Sequence, residues 1–186
     1  MEADLETALI RRVAAGDQGA FAELADATHA GLFRYLRSLC RSDEVAEDAL
    51  QEVLVGVWRG ARAWRGDVSG RVWIFGIARR QAARSWRRRA GEPAASESLE
   101  SLAVAAGGGG DPEQAASAVE EKERVSAALA RLSDEDREVI VLRDLEGFSG
   151  PEAAALLDVD LGALKSRLHR ARLRLMAELR EVTDVD

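Results

Sequence analysis

Apolar residues recur along this chain every three to four positions, the spacing of one face of an α-helix. Read between turn signals, that spacing predicts helices over residues 5–15, 18–28, 30–40, 43–62 and 71–89, and again over 117–131, 134–145, 151–157 and 161–181. Few β-branched runs alternate with period two, so the expected fold class is all-α. Residues 90–116 break the pattern. They hold Pro93, Pro112, the run Gly107–Gly110, several serines and alanines, and no lysine or arginine. Such a composition reads as a flexible acidic linker. The expected organisation is two small helical domains, 1–89 and 117–186, joined by that linker.

The second domain ends in FSGPEAAALLDVDLGALKSRLHRARLRLMAEL, from Phe148 to Leu179. Ser149 followed three residues later by Glu152 is a capping box, and Pro151 suits a first helical turn. Asp158-Val159-Asp160 then interrupts the helix before a longer one begins near Leu161. On that helix Leu161, Leu164, Leu168, Ala171, Leu175 and Leu179 share one face, while Ala163, Ser166, Arg167, Arg170 and Arg174 share the opposite one. Lys165 and Arg172 fall at the rim of the apolar stripe, and His169 flanks the polar face. The pattern is a helix-turn-helix whose second helix can enter the DNA major groove. The plainer alternative is an amphipathic surface helix with a solvated charged face.

Two further patterns lie in the first domain. Over 43–57, Glu47, Asp48, Gln51 and Glu52 cluster on one helical face, and Ala49, Leu50, Val53, Leu54 and Val57 on the other. An exposed acidic ridge of this kind can dock a basic partner. Next comes Trp64-Arg65-Gly66-Asp67-Val68-Ser69-Gly70-Arg71, leading into VWIFGIARRQAARSWRRR. All four tryptophans (Trp58, Trp64, Trp73, Trp86) lie here among arginines. Aromatic rings beside cations suit single-stranded nucleic acid, since bases stack while phosphates pair with arginine. Trp73, Ile77 and Phe75 also fit a packed core.

Charge changes the picture. The 186-residue chain is acidic overall, at −7, which alone argues against a nucleic-acid partner. Yet residues 53–91 hold ten basic and one acidic side chain, whereas residues 92–161 hold five and seventeen. Residues 162–186 turn basic again, with six against four. Two basic islands separated by acid suggest a nucleic-acid footprint on each. The single cysteine, Cys40, excludes an internal disulfide and reads as a buried thiol. No apolar leader or long apolar run is evident, so a cytoplasmic protein without membrane insertion is expected. No Cys/His cluster suggests a metal, the glycine run lacks the lysine of a phosphate loop, and no nucleophile–base set stands out. Neither a cofactor nor catalysis is expected.

From these residues alone, a stand-alone helix-turn-helix regulator and an enzyme acting on DNA remain open beside other DNA binders. Four ordered motifs narrow the field: AEDALQEVLVGVWR at 46–59, WIFGIARR at 73–80 with RRR at 87–89, LSDEDREVIVLRDLEGFS at 132–149, and VDLGALKSRLHRAR at 159–172. In order and spacing the chain resembles an extracytoplasmic-function (ECF) sigma factor, a specificity subunit of bacterial RNA polymerase.

That resemblance implies roles for named residues. Glu47, Asp48, Gln51 and Glu52 match the helix that grips the clamp coiled coil of the polymerase's largest subunit. Trp64, Arg65 and Arg71 match a loop that captures a flipped base of the −10 element, with Phe75, Arg79 and Arg80 beside it. Lys165, Ser166, Arg167, His169, Arg170 and Arg174 match the helix that reads the −35 element as duplex. Core RNA polymerase, promoter DNA and an anti-sigma protein are the implied partners. The chain departs from the family pattern at Arg80, where asparagine is frequent, at Arg84, where aspartate is common, at Ala163 in place of threonine and at Pro151 in place of an acid. Phosphate binding rather than base readout is the expected role of Arg80.

Overall fold

The computed structural model describes residues 2–40, 42–89 and 112–183. Among them are eight α-helices and no strand: α1 (Glu2–Ala14), α2 (Gln18–Cys40), α3 (Asp43–Gly60), α4 (Gly70–Arg89), α5 (Pro112–Arg131), α6 (Asp134–Ile140), α7 (Gly150–Leu157) and α8 (Leu161–Thr183). The all-α expectation therefore holds. Residues 90–111, most of the expected linker, lie outside the described residues. The helices form two compact units. The first comprises α1, α2 as far as Leu36, α3 from Glu44, and α4, and the second residues 37–43 with α5 to α8.

Most boundaries fall within a few residues of expectation, and two of the differences have a clear physical reason. Residues 18–28 and 30–40 form one continuous helix, α2. His29, where the two expected helices would part, is itself helical, and Gly31 just beyond it costs a helix interior only about 1 kcal/mol, so tertiary packing carries the helix through. Its flanks bury Leu24, Leu32, Tyr35 and Leu36 on one side. Helix α5 starts at Pro112, five residues before the helix start expected at 117, because proline fits a first turn whose N–H has no helical partner.

In the first unit, α1 packs on α4 and on the 3₁₀ turn Ala61–Ala63. Leu9, Ile10 and Val13 of α1 are buried, as are Val72, Ile74, Phe75, Ile77 and Ala78 of α4. Each large side chain removed from water contributes roughly 1.5–3 kcal/mol. Asp17 begins α2 by accepting from Ala20 N–H at 2.9 Å, and Arg12 at the end of α1 pairs with it at 2.9 Å. The Ala20 N–H, then the Arg12 guanidinium, hold the Asp17 carboxyl below its ordinary range.

In the second unit α8 lies against α5, α6 and α7. Helix α6 widens into a π-helical turn at Val141–Leu145, and Gly147, at φ +68°, then reverses the chain to bury Phe148. Ser149 and Glu152 form the expected capping box on α7. Asp158 ends α7 in the left-handed region (φ 56°), and Asp160 opens α8 by accepting from Ala163 N–H at 2.8 Å. Asparagine and aspartate tolerate that conformation better than most side chains, which lets two helices meet across so short a turn.

Candidate nucleic-acid and protein interfaces

On α3 the structure separates the two faces that the sequence pattern separated. Glu47, Asp48, Gln51 and Glu52 are all exposed, while Val45, Ala46, Ala49, Leu50, Val53 and Val57 are buried. The ridge also runs further than its acidic residues. Val55 and Trp58 follow Gln51 and Glu52 at helical spacing and stand 40% and 39% exposed. Trp58 leans edge-on against Phe21, with ring centroids 5.2 Å apart. Next on that face comes exposed Arg59. The ridge therefore passes from acidic through apolar to basic within one helix. The sequence pattern alone did not join Val55 and Trp58 to the ridge, although Val55 lies four residues after Gln51 and Trp58 three after Val55, the offsets of one helical face.

The loop before α4 brings some of the expected residues together. Trp64 is half-buried with its ring 6.1 Å from that of Trp73, and its buried Nε1–H meets no acceptor. Arg65 is exposed, and Arg71 sets its guanidinium 5.7 Å over the Phe75 ring. Phe75 itself is 2% exposed and packs on Tyr35 at 5.3 Å. It is a core ring that supports Arg71 from beneath and offers no face to a base. Arg79 is half-buried and Arg80 exposed. Arg80 lies nine residues after Arg71, half a helical turn out of phase, so the two point to different sides of α4.

On α8, Leu164, Leu168 and Ala171 are buried, whereas Leu161, in the first turn, stays 38% exposed. Lys165, Ser166, His169 and Arg170 are exposed and available. Arg167 and Arg174 sit differently. They lie two turns apart on the flank toward α6, where Arg167 pairs with Glu135 at 3.4 Å and Arg174 with Asp136. On the other flank Arg172 holds Asp144 at 2.9 and 2.5 Å, and these bonds raise the Arg172 pKa. Sequence periodicity set Arg167 and Arg174 on the same polar face as Ser166 and Arg170; it could not see the acids of α6 beside those two.

The remaining observations bear on chemistry. Among the described residues no group of three or more His, Cys, Asp or Glu could hold a metal ion. Among them, too, no helix is long and apolar enough to cross a membrane. Cys40 is half-buried at the end of α2, more open than expected.

Comparison with known proteins places the chain in a family. The Sigma-70 region 2 family matches residues 24–92, and the Sigma-70, region 4 family matches residues 122–175. The ECF RNA polymerase sigma factor SigM of Mycobacterium tuberculosis is 35% identical over 161 residues, 87% of this chain and 78% of that protein. The RNA polymerase sigma factor CnrH of Cupriavidus metallidurans is 33% identical, with 95% of each chain covered. The solved structure of CnrH in complex with the cytosolic domain of CnrY superposes with a TM-score of 0.69 at 27% identity, covering 98% of this chain and 99% of that one. The sigma factor RpoE in complex with the anti-sigma factor NepR from Bartonella quintana gives 0.68 at 28% identity, covering 86% and 96%.

Proposed function

The chain belongs to the ECF sigma factors of RNA polymerase, which direct promoter recognition, and from that premise we propose how its surfaces divide the work. The first domain, 1–89, docks on core polymerase through Glu47, Asp48, Gln51 and Glu52, with Val55 and Trp58 extending the contact. It captures −10 bases of the melted strand with Trp64, Arg65 and Arg71, while Arg79 and Arg80 take phosphates. The second domain, 117–186, reads the −35 duplex through Lys165, Ser166, His169 and Arg170, with Arg167 and Arg174 on the flank. Residues 90–116 join the two.

One observation carries this reading: Glu47, Asp48, Gln51 and Glu52 are all exposed while Ala49, Leu50, Val53 and Val57 on the opposite face are buried, in the same unit as the Trp/Arg loop. A stand-alone DNA regulator has no use for such a ridge. The mechanism is assembly and selective binding. Duplex readout at −35 sets register. Unpaired −10 bases then gain stacking that paired bases cannot, each worth about 1–3 kcal/mol, and this draws the open state forward. Core polymerase supplies the chemistry; this chain supplies promoter choice and no catalysis of its own, in the cytoplasm.

An anti-sigma protein is a further partner in this reading. Support comes from the likeness to RpoE, solved with the anti-sigma factor NepR. Co-purification from the native host under repressing conditions that yields only core polymerase would count against it. The test of the whole is in vitro transcription with purified core polymerase and a genomic promoter library. Initiation from a defined promoter set only when this chain is added is the expected result. Tight, sequence-specific duplex binding by a dimer of the chain without polymerase would overturn the reading.

A further inference from the structure

The two acids at the start of α6 treat their arginines differently. Asp136 is 6% exposed on its side chain and bound by Arg174; freeing that arginine would strand a buried carboxylate. Arg174 is thus tied into the fold. Glu135 is 73% exposed, and its partner Arg167 is 29% exposed. A pair so open adds little to stability, and either member can be hydrated when the other leaves. Glu135 therefore holds Arg167 by a tie that another anion could replace.

We infer that Glu135 is an internal competitor for DNA phosphate: it occupies Arg167 and so limits the sequence-independent part of the −35 domain's affinity. This rests on the reading of α8 as the −35 helix. A cation already paired with a carboxylate brings no net charge to the duplex and releases few counterions. Ser166, His169 and Arg170, exposed on the open side of α8, then account for a larger share of binding. Phosphate contacts strengthen binding to every sequence alike, and bulk DNA outnumbers promoters. A −35 helix with one phosphate clamp restrained is held less by non-promoter duplex.

The experiment measures binding of the full chain, assembled with core polymerase, to a labelled −35 duplex and to a scrambled duplex, between about 50 and 200 mM salt. Glu135→Gln removes the competing charge and keeps the shape. It should tighten both duplexes by the same factor and steepen the slope of log K against log salt by up to about 0.9, so that its advantage shrinks by up to about threefold across that range. Adding Arg167→Ala to Glu135→Gln should cancel the gain. Arg170→Ala serves as the control on the underlying reading and should flatten the slope by a similar amount. If Arg170→Ala flattens the slope while Glu135→Gln leaves it unchanged, or weakens binding, the inference is wrong and the α8 reading stands. If neither variant moves the slope, the α8 reading itself falls and takes the inference with it.

Discussion

The backbone N–H of Gly70 donates to Thr7 Oγ1 at 3.0 Å, pinning the first turn of α4 to α1. The approach is so close that a Cβ on Gly70 would meet Ile10 Cδ1 at 2.7 Å, Thr7 N at 2.8 Å and Glu6 C at 2.9 Å. Two of those atoms are backbone and cannot swing aside. Gly70 also closes the loop that carries Trp64 and Arg65, so α1 fixes where that loop ends.

Gly70→Ala should therefore destabilise the first unit by about 1–3 kcal/mol, the usual cost of overpacking. Thr7→Val should cost less, about 1 kcal/mol, through the lost hydrogen bond. Denaturant unfolding of both variants checks this. A Gly70→Ala protein as stable as the parent would mean that α1 and α4 are not in such close contact.

Arg174→Ala should act first on stability and only then on DNA. It exposes the second unit to an unpaired Asp136, a loss of about 1–2 kcal/mol, between the values for exposed and buried pairs. Asp136→Asn in the same chain should recover part of that loss. Thermal unfolding of the single and double variants decides, and strictly additive effects would mean that the two side chains do not interact.

Asp48→Ala and Gln51→Ala should each weaken binding to core polymerase by roughly tenfold, and Trp58→Ala by a similar amount, as expected for residues near the centre of an interface. Equilibrium binding to purified core measures all three. Unchanged affinity in the Asp48 and Gln51 variants would remove the α3 ridge from the docking surface.

Trp64→Ala should leave core affinity intact and reduce promoter opening by about tenfold or more, the stacking of one base. Permanganate footprinting of the −10 region reads the melted strand directly. Normal opening in this variant would assign base capture elsewhere.

Acid should reveal the Asp17 cap. Its carboxyl pKa lies lower in the folded chain, through the Ala20 N–H and then Arg12. The stabilisation it supplies is complete above its unfolded pKa and is lost as pH falls through the lowered, folded value. Asp17→Asn keeps a capping oxygen but cannot titrate, so its acid-unfolding curve should be the flatter one between those two values.

Elements with a long apolar stripe were legible in the sequence, and so were caps with a local signature. The faces of α3 and the Ser149–Glu152 box depend on residues three and four apart, which any reader of spacing can see. Features set by distant partners were not. Whether the helix breaks at His29 depends on what Leu32 and Tyr35 pack against. Whether Arg167 and Arg174 are open depends on Glu135 and Asp136, more than thirty residues earlier. Phe75 looked like a candidate for base contact because aromatic residues near arginines have two uses, and only burial distinguishes them.

The placement of the tryptophans has an optical consequence. All four belong to the first unit, where Trp58 rests on Phe21 and Trp64 on Trp73. The second unit contains no indole at all, so no tryptophan of its own reports on it. Polymerase docking beside Trp58 and strand capture at Trp64 should each perturb the intrinsic emission, whereas α8 has no indole to report duplex engagement. The protein thus carries its own label for one half of promoter recognition, and a dye is needed only for the other.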